Sequence, residues 1–237
     1  MKEEYHKWYS HHIGRDFEML VFGHSGYPVV LFPTSMGKFY QNKDFGLIDT
    51  ARWFIDNGMI KIYCPDSIDN DSWYNRQVHP SVKAQNHNLY DALIREEVVK
   101  RAMYECNTGK VGLAGCSFGA YHAANFAFRY PEMAGYMFSM GGAFDIKMFM
   151  RGHYDDNVYY NNPPDFLAGV NNPALWEMGI VLGVGEHDFC RSANEKMADI
   201  LNQKHVKNWL DIRAGGVHDW GTWKEMFPHY LSLIFNQ

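Results

Sequence analysis

The sequence predicts an α/β protein, a mostly parallel central sheet with helices on both faces. Three observations lead there. Short apolar runs rich in Val, Ile, Leu and Phe recur along the 237 residues. Segments of helical period separate them. No internal repeat, low-complexity tract or linker divides the chain. Strands alternating with helices are accommodated by parallel strands whose crossover helices cover the sheet. The length suits one domain over residues 1–237 and allows a substantial core.

The elements follow in order. Residues 17–23 alternate as a strand, Gly26-Tyr27-Pro28 punctuates, and Val29-Val30-Leu31-Phe32 is a short apolar run. This pair reads as a hairpin opening the sheet. Leu47, Ile48, Ala51, Phe54 and Ile55 fall at helical spacing before Asn57-Gly58, and residues 60–64 form a strand stopped by Pro65. Residues 66–86 have loop composition. A helix over 89–104 carries the stripe Leu89, Leu93, Val98, Val99 and Met103. A strand over 110–114, a helix over 120–130, a strand over 135–140 and an irregular excursion over 151–174 come next. Within 144–177 there is room for a small cap. The chain closes with a strand at 179–184, a helix at 192–203, a strand at 208–212 and a helix within 222–235.

Composition narrows the function. Hydrophobic residues are 46% and charged residues 21%, and the formal charge is −5 with both signs scattered. No basic block offers a footprint for phosphate backbones, which argues against nucleic acid. No segment reaches the ~18 apolar residues of a membrane span, and the first residues lack a signal-type apolar stretch. A cytoplasmic protein is the simplest expectation, an omitted signal peptide aside. Cys64, Cys106, Cys116 and Cys190 make no CxxC pair, and no H-E-x-x-H occurs, so neither a metal nor another cofactor is expected. The sequence is compatible with a homo-oligomer. Aromatic content is 16%, and Trp73, Tyr74 and Trp220 lie in loop-like surroundings where aromatics line apolar pockets.

Gly115-Cys116-Ser117-Phe118-Gly119 matches G-x-S-x-G between an apolar strand and an Ala-rich helix. That is the setting of a nucleophile elbow, where a strained serine stands clear of a parallel sheet. The turn aims the Phe118 N–H and the positive helix end at the reacting oxygen, making Phe118 the first oxyanion donor. Cys116 would point away from the pocket. A hydroxyl needs a base, and the base an orienting carboxylate, in the chain order Ser, Asp or Glu, His. The strand at 179–184 runs into Gly185-Glu186-His187-Asp188, giving Asp188 as the acid, with Glu186 and Asp145 as alternatives. His187 reads as a loop side chain. His218 is the first histidine after the last strand and is the expected base. The second oxyanion donor belongs to the loop after the early strand, Pro33-Thr34-Ser35-Met36-Gly37. Pro33 has no N–H, which leaves Ser35, slightly preferred, and Thr34.

These residues, with Asp66-Ser67-Ile68-Asp69, Ser72-Trp73-Tyr74-Asn75 and His218-Asp219-Trp220, resemble the putative-esterase family of α/β-hydrolases. That family includes esterase D-like enzymes and bacterial mycolyltransferases, and the resemblance spans roughly residues 16 to 230. It implies an α/β-hydrolase fold, a triad on Ser117, Asp188 and His218, an oxyanion donor at Ser35 or its neighbour, and cofactor-free hydrolysis of a small-molecule carboxylic ester. Pro-Thr-Ser stands where relatives often carry glycine. The same triad would serve an acyltransferase, thioesterase, lactonase or amidase. A silent hydrolase-fold binding protein is the reading from another class.

Overall fold

The structure, a computed structural model, describes residues 1–235. Eight strands form one sheet in the order β1-β2-β4-β3-β5-β6-β7-β8. They are β1 Glu3–Ser10, β2 Arg15–Phe22, β3 Tyr27–Phe32, β4 Ile60–Pro65, β5 Val111–Cys116, β6 Ala134–Met140, β7 Gly179–Gly185 and β8 Trp209–Arg213. From β4 to β8 every pairing is parallel, while β1–β2 and β2–β4 are antiparallel. The sequence-predicted α/β-hydrolase architecture therefore holds.

Core residues alternate along the inner strands. Val30 and Phe32 of β3, Leu113 of β5 and Met137 of β6 face the helices at residues 80–106, Phe118–Arg129 and Arg191–Gln203. Val29, Leu31, Ala114 and Phe138 face the short helical turns within residues 41–56 and the last helix, Trp220–Ser232. This period-two division is what a strand covered on both faces requires.

Three expectations need correction. The predicted hairpin does not form: β4 lies between β2 and β3. The entry of β3 is tied instead to the start of β4, with the Tyr27 N–H donating to the Met59 carbonyl at 2.8 Å. The five residues of β3 after Tyr27 are all buried, so the strand needs neighbours and cover on every side, which an edge hairpin does not supply. The second correction is β1, which no element was expected to occupy. Its Tyr5 and Tyr9 are exposed while Trp8 packs on Phe17, so its apolar residues do not sort by face. The third is the long helix, which starts at Pro80 rather than Leu89. Pro80 takes the first helical position and the His79 side chain accepts from the Ser81 N–H. Its first turns bury Lys83 and His87, which hides the helix from an apolar-period reading. Ile94–Val99 is a π turn within it.

The excursion after β6 consists of short turns, among them Asp156–Tyr159 and Pro163–Phe166. It is anchored through buried Val158, Asn161, Asn162, Phe166 and Leu167. Among the described residues no helix is long and apolar enough to cross a membrane.

Candidate active site

Ser117 joins β5 to the helix Phe118–Arg129 with φ 55 and ψ −118. A non-glycine residue pays on the order of 1–3 kcal/mol for such a conformation. Close contact between strand and helix imposes it. A Cβ on Gly115 would stand 2.2 Å from the Gly119 carbonyl carbon, and one on Gly119 would stand 2.5 Å from the Pro33 carbonyl oxygen. The Ser117 N–H donates to the Met140 carbonyl at 2.8 Å, pinning the turn to the end of β6.

Asp188 lies in the loop after β7, its side chain wholly buried. The Cys190 N–H donates to its Oδ1 at 2.7 Å. His218 lies between β8 and the last helix. The Asp219 side chain caps that helix, accepting from the Thr222 N–H, and the Thr222 hydroxyl accepts from the Val217 N–H. The histidine is thus held between two tethered neighbours. Its Nδ1 is 2.8 and 2.9 Å from the two Asp188 oxygens, and its Nε2 is 2.9 Å from Ser117 Oγ. Strand ends in a parallel sheet bring these three together although 101 residues separate Ser117 from His218.

Two residues that the sequence reading does not single out also meet here. Gly141 follows β6 with φ 64, and a Cβ there would stand 2.9 Å from Asp188 Oδ2 and 3.2 Å from His218 Nδ1. Only a residue without a side chain leaves room for the pair; the Gly141-Gly142 dipeptide at a strand end was the available clue. Phe189 is exposed, with its ring centroid 4.1 Å from that of His218.

The oxyanion candidates separate by their partners. Phe118 is the first residue of its helix, where an N–H has no intrahelical acceptor, and no side chain caps it. In the early loop the Thr34 N–H donates to Gln41 Oε1 at 2.9 Å, Met36 N–H to Asp69 Oδ2 at 2.8 Å and Gly37 N–H to the Thr34 carbonyl at 2.9 Å. The Ser35 N–H makes no hydrogen bond among the described residues. Thr34 is therefore the weaker choice of the two expected donors: its N–H is already spent.

Asp69 also reaches the elbow helix: its Oδ1 lies 3.1 Å from His122 Nε2, both side chains being almost fully buried. One carboxylate thus ties the loop holding Ser35 to the helix whose first N–H belongs to Phe118. Sequence reasoning missed this brace, because nothing local distinguishes Asp69 from its neighbours in a polar stretch.

The alternatives lie elsewhere. Glu186 accepts from the Gly215 N–H at 2.8 Å, and that hydrogen bond lowers its pKa. His187 faces Glu186 at 3.9 Å. Asp145 accepts from the Lys147 N–H and pairs with Lys147. Cys116 is fully buried, and burial pushes its thiol well above the ordinary range. Cys190 Sγ lies with Asp188 and His218 within 4.8 Å, a possible donor trio for a cation. Binding one there would have to break the Asp188–His218 hydrogen bonds, and burial pushes the thiol up to about 12. Of the expected pocket aromatics, Trp73 is fully buried with Phe118 and Tyr121. The Tyr74 hydroxyl donates to Ser35 Oγ at 2.8 Å. Trp220 stacks on Phe45 with centroids 4.7 Å apart and touches Trp223, whose ring meets His218 edge-on at 5.0 Å.

Residues 10–234 match the family described as "Putative esterase". The chain belongs to that family. An ester hydrolase is the activity that membership supports. No curated protein matches the chain. Solved structures share the fold of this esterase-family chain at low identity. A ferulic acid esterase superposes with TM-score 0.78 and 16% identity, over 99% of this chain and 97% of its own. An S-formylglutathione hydrolase from Agrobacterium tumefaciens gives 0.77 and 13%, over 98% and 93%. MPT51 of Mycobacterium tuberculosis gives 0.71 and 16%, over 100% and 98%.

Proposed function

We propose that this protein is a serine carboxylic ester hydrolase working through an acyl-enzyme. The observation that carries the reading is the single imidazole bridging a strained, solvent-reachable hydroxyl and a buried carboxylate at 2.8–2.9 Å. Asp188 accepts from His218 Nδ1–H, which leaves Nε2 with its lone pair toward Ser117. Ser117 Oγ attacks the ester carbonyl carbon while its proton passes to Nε2. The carbonyl oxygen becomes an oxyanion, met by the N–H groups of Phe118 and Ser35 and by the positive helix end. The C–O bond to the alcohol then breaks, and Nε2–H protonates the departing oxygen. Water, deprotonated by Nε2, attacks the acyl carbon, releasing the acid and returning the proton to Ser117 Oγ.

Asp188 is fixed by the Cys190 N–H and in turn orients the His218 ring. The family and its structural neighbours support the ester bond as the target. Hydrolysis of 4-nitrophenyl acetate is the direct test, with fluorophosphonate labelling of Ser117 alongside it. Labelling and turnover that survive Ser117→Ala would reject the reading.

A further inference from the structure

Beside the candidate site lies an open cavity of about 480 Å³ whose walls include Tyr74, Met148 and Phe149 and three cations, Arg76, Lys83 and Arg151. Tyr74 and Phe149 pack on each other at 4.8 Å between centroids. Both rings also pack on Phe118, at 5.5 and 5.6 Å, and Phe118 directly follows Ser117. The Tyr74 hydroxyl reaches Ser35. Two of the cavity's wall residues therefore touch the loop and helix that carry Ser35 and Phe118.

Its charge is uncompensated. The chain has 27 acidic residues against 22 basic ones, yet none of these three cations forms an ion pair with a carboxylate among the described residues. Lys83 is buried and donates only to the backbone carbonyls of Trp73 and Phe149, at 3.2 and 3.0 Å. Burial first, then Arg151 and Arg76, lowers its pKa, so the field it feels is positive. Arg151, held at φ 50, donates to the Arg76 carbonyl at 3.4 Å, which brings its guanidinium to the Arg76 segment. Elsewhere in the chain, Lys38, Lys61, Arg101 and Arg213 each lie on a carboxylate. Arg76 and Arg151 are exposed, so their guanidinium groups are open to an anion carried by a ligand. Guanidinium groups beside flat rings suit a carboxylate or phosphate carried on a chain or ring small enough to lie between the aromatics.

We propose that this cavity is the subsite for an anionic group, a carboxylate or phosphate borne by the ester whose carbonyl is presented to Ser117. This rests on the esterase reading given above. It names the substrate class as charged esters rather than neutral apolar ones.

The test uses esters that differ in charge. 4-Nitrophenyl hexanoate is set against 4-nitrophenyl hydrogen adipate, with the charge on the acyl side. Methyl 4-acetoxybenzoate is set against 4-acetoxybenzoate and 4-acetoxyphenyl phosphate, with the charge on the alcohol side. The charged member of at least one set is expected to lead in kcat/KM by about tenfold, the value of one charge-assisted hydrogen bond. That ratio is expected to fall about tenfold in the R76Q/R151Q protein and to shrink in about 0.5 M NaCl. No preference for charge in the unaltered protein, or a ratio indifferent to the double substitution, overturns the proposal. The carboxylate and phosphate arms tell the two anions apart. If no ester is turned over, the esterase reading fails separately. The cavity is then judged by calorimetric titration of 4-acetoxybenzoate into the Ser117→Ala protein. Binding that weakens about tenfold on adding the two arginine substitutions upholds the subsite, and absence of binding rejects it.

Discussion

Two of this molecule's carboxylate–histidine pairs, Asp188–His218 and Asp69–His122, differ in what the second ring nitrogen meets. In Asp188–His218 the imidazole is 14% exposed and its Nε2 faces the Ser117 hydroxyl. In Asp69–His122 both side chains are almost wholly buried, and His122 Nδ1 has no hydrogen-bond partner among the described residues. The carboxylates differ as well. Asp188 gives both oxygens to its histidine, whereas Asp69 gives its second oxygen to the Met36 N–H of the early loop. The lesson is that the pair itself is only a strut. It can do proton-transfer chemistry where the far nitrogen meets a hydroxyl that a substrate can reach; elsewhere it braces two segments.

Substitutions can break or sharpen that contrast. The largest expected effect is Ser117→Ala, which should lower kcat on 4-nitrophenyl acetate by about 10⁵-fold while the thermal midpoint stays put. Asp188→Asn keeps the shape but favours the wrong tautomer of His218, and kcat should fall on the order of 10⁴-fold. Asp69→Asn should invert the balance. Losing half of a buried pair costs about 3 kcal/mol, a midpoint drop on the order of 10 °C, with kcat lowered only about 10- to 100-fold as the Ser35 loop loosens. Equal activity losses for the two Asp→Asn proteins, with equal melting curves, would erase the distinction between strut and proton relay. Gly141→Ala forces a methyl against Asp188 and His218, and a kcat loss of about tenfold or more on 4-nitrophenyl acetate is expected. The smallest effect belongs to the thiols. Burial pushes Cys190 up to about 12 and Cys116 well above its ordinary value, so both remain thiols at neutral pH. Iodoacetamide applied to the native protein at pH 7 should leave esterase activity within about twofold of the untreated sample; rapid inactivation that mass spectrometry traces to Cys190 would contradict this.

Much of the architecture is legible in linear order, because strand and helix periods survive wherever a segment has one apolar face. β5, β6, β7 and the helix Arg191–Gln203 lie within a few residues of their expected bounds. Two of the failures share one cause. β1 exposes Tyr5 and Tyr9, and the first turns of the helix at Pro80 bury lysine and histidine, so side-chain polarity there does not report burial. The false hairpin has another: adjacency in sequence says which strands are close along the chain and nothing about a third strand, β4, inserting between them.

By itself the sequence determined the α/β order, the elbow motif, the succession Ser117, Asp188, His218, and the exclusion of Pro33 as a donor. Each depends only on residue type and local spacing. Tertiary structure alone decided that Thr34 spends its N–H on Gln41 while Ser35 keeps its own free, that Gly141 must lack a side chain, and that Asp69 joins loop to helix. It also gathered Arg76, Lys83 and Arg151 around one cavity. Those facts concern which atoms meet across distant segments, and such meetings are set by how the sheet and its connections pack rather than by any stretch read singly.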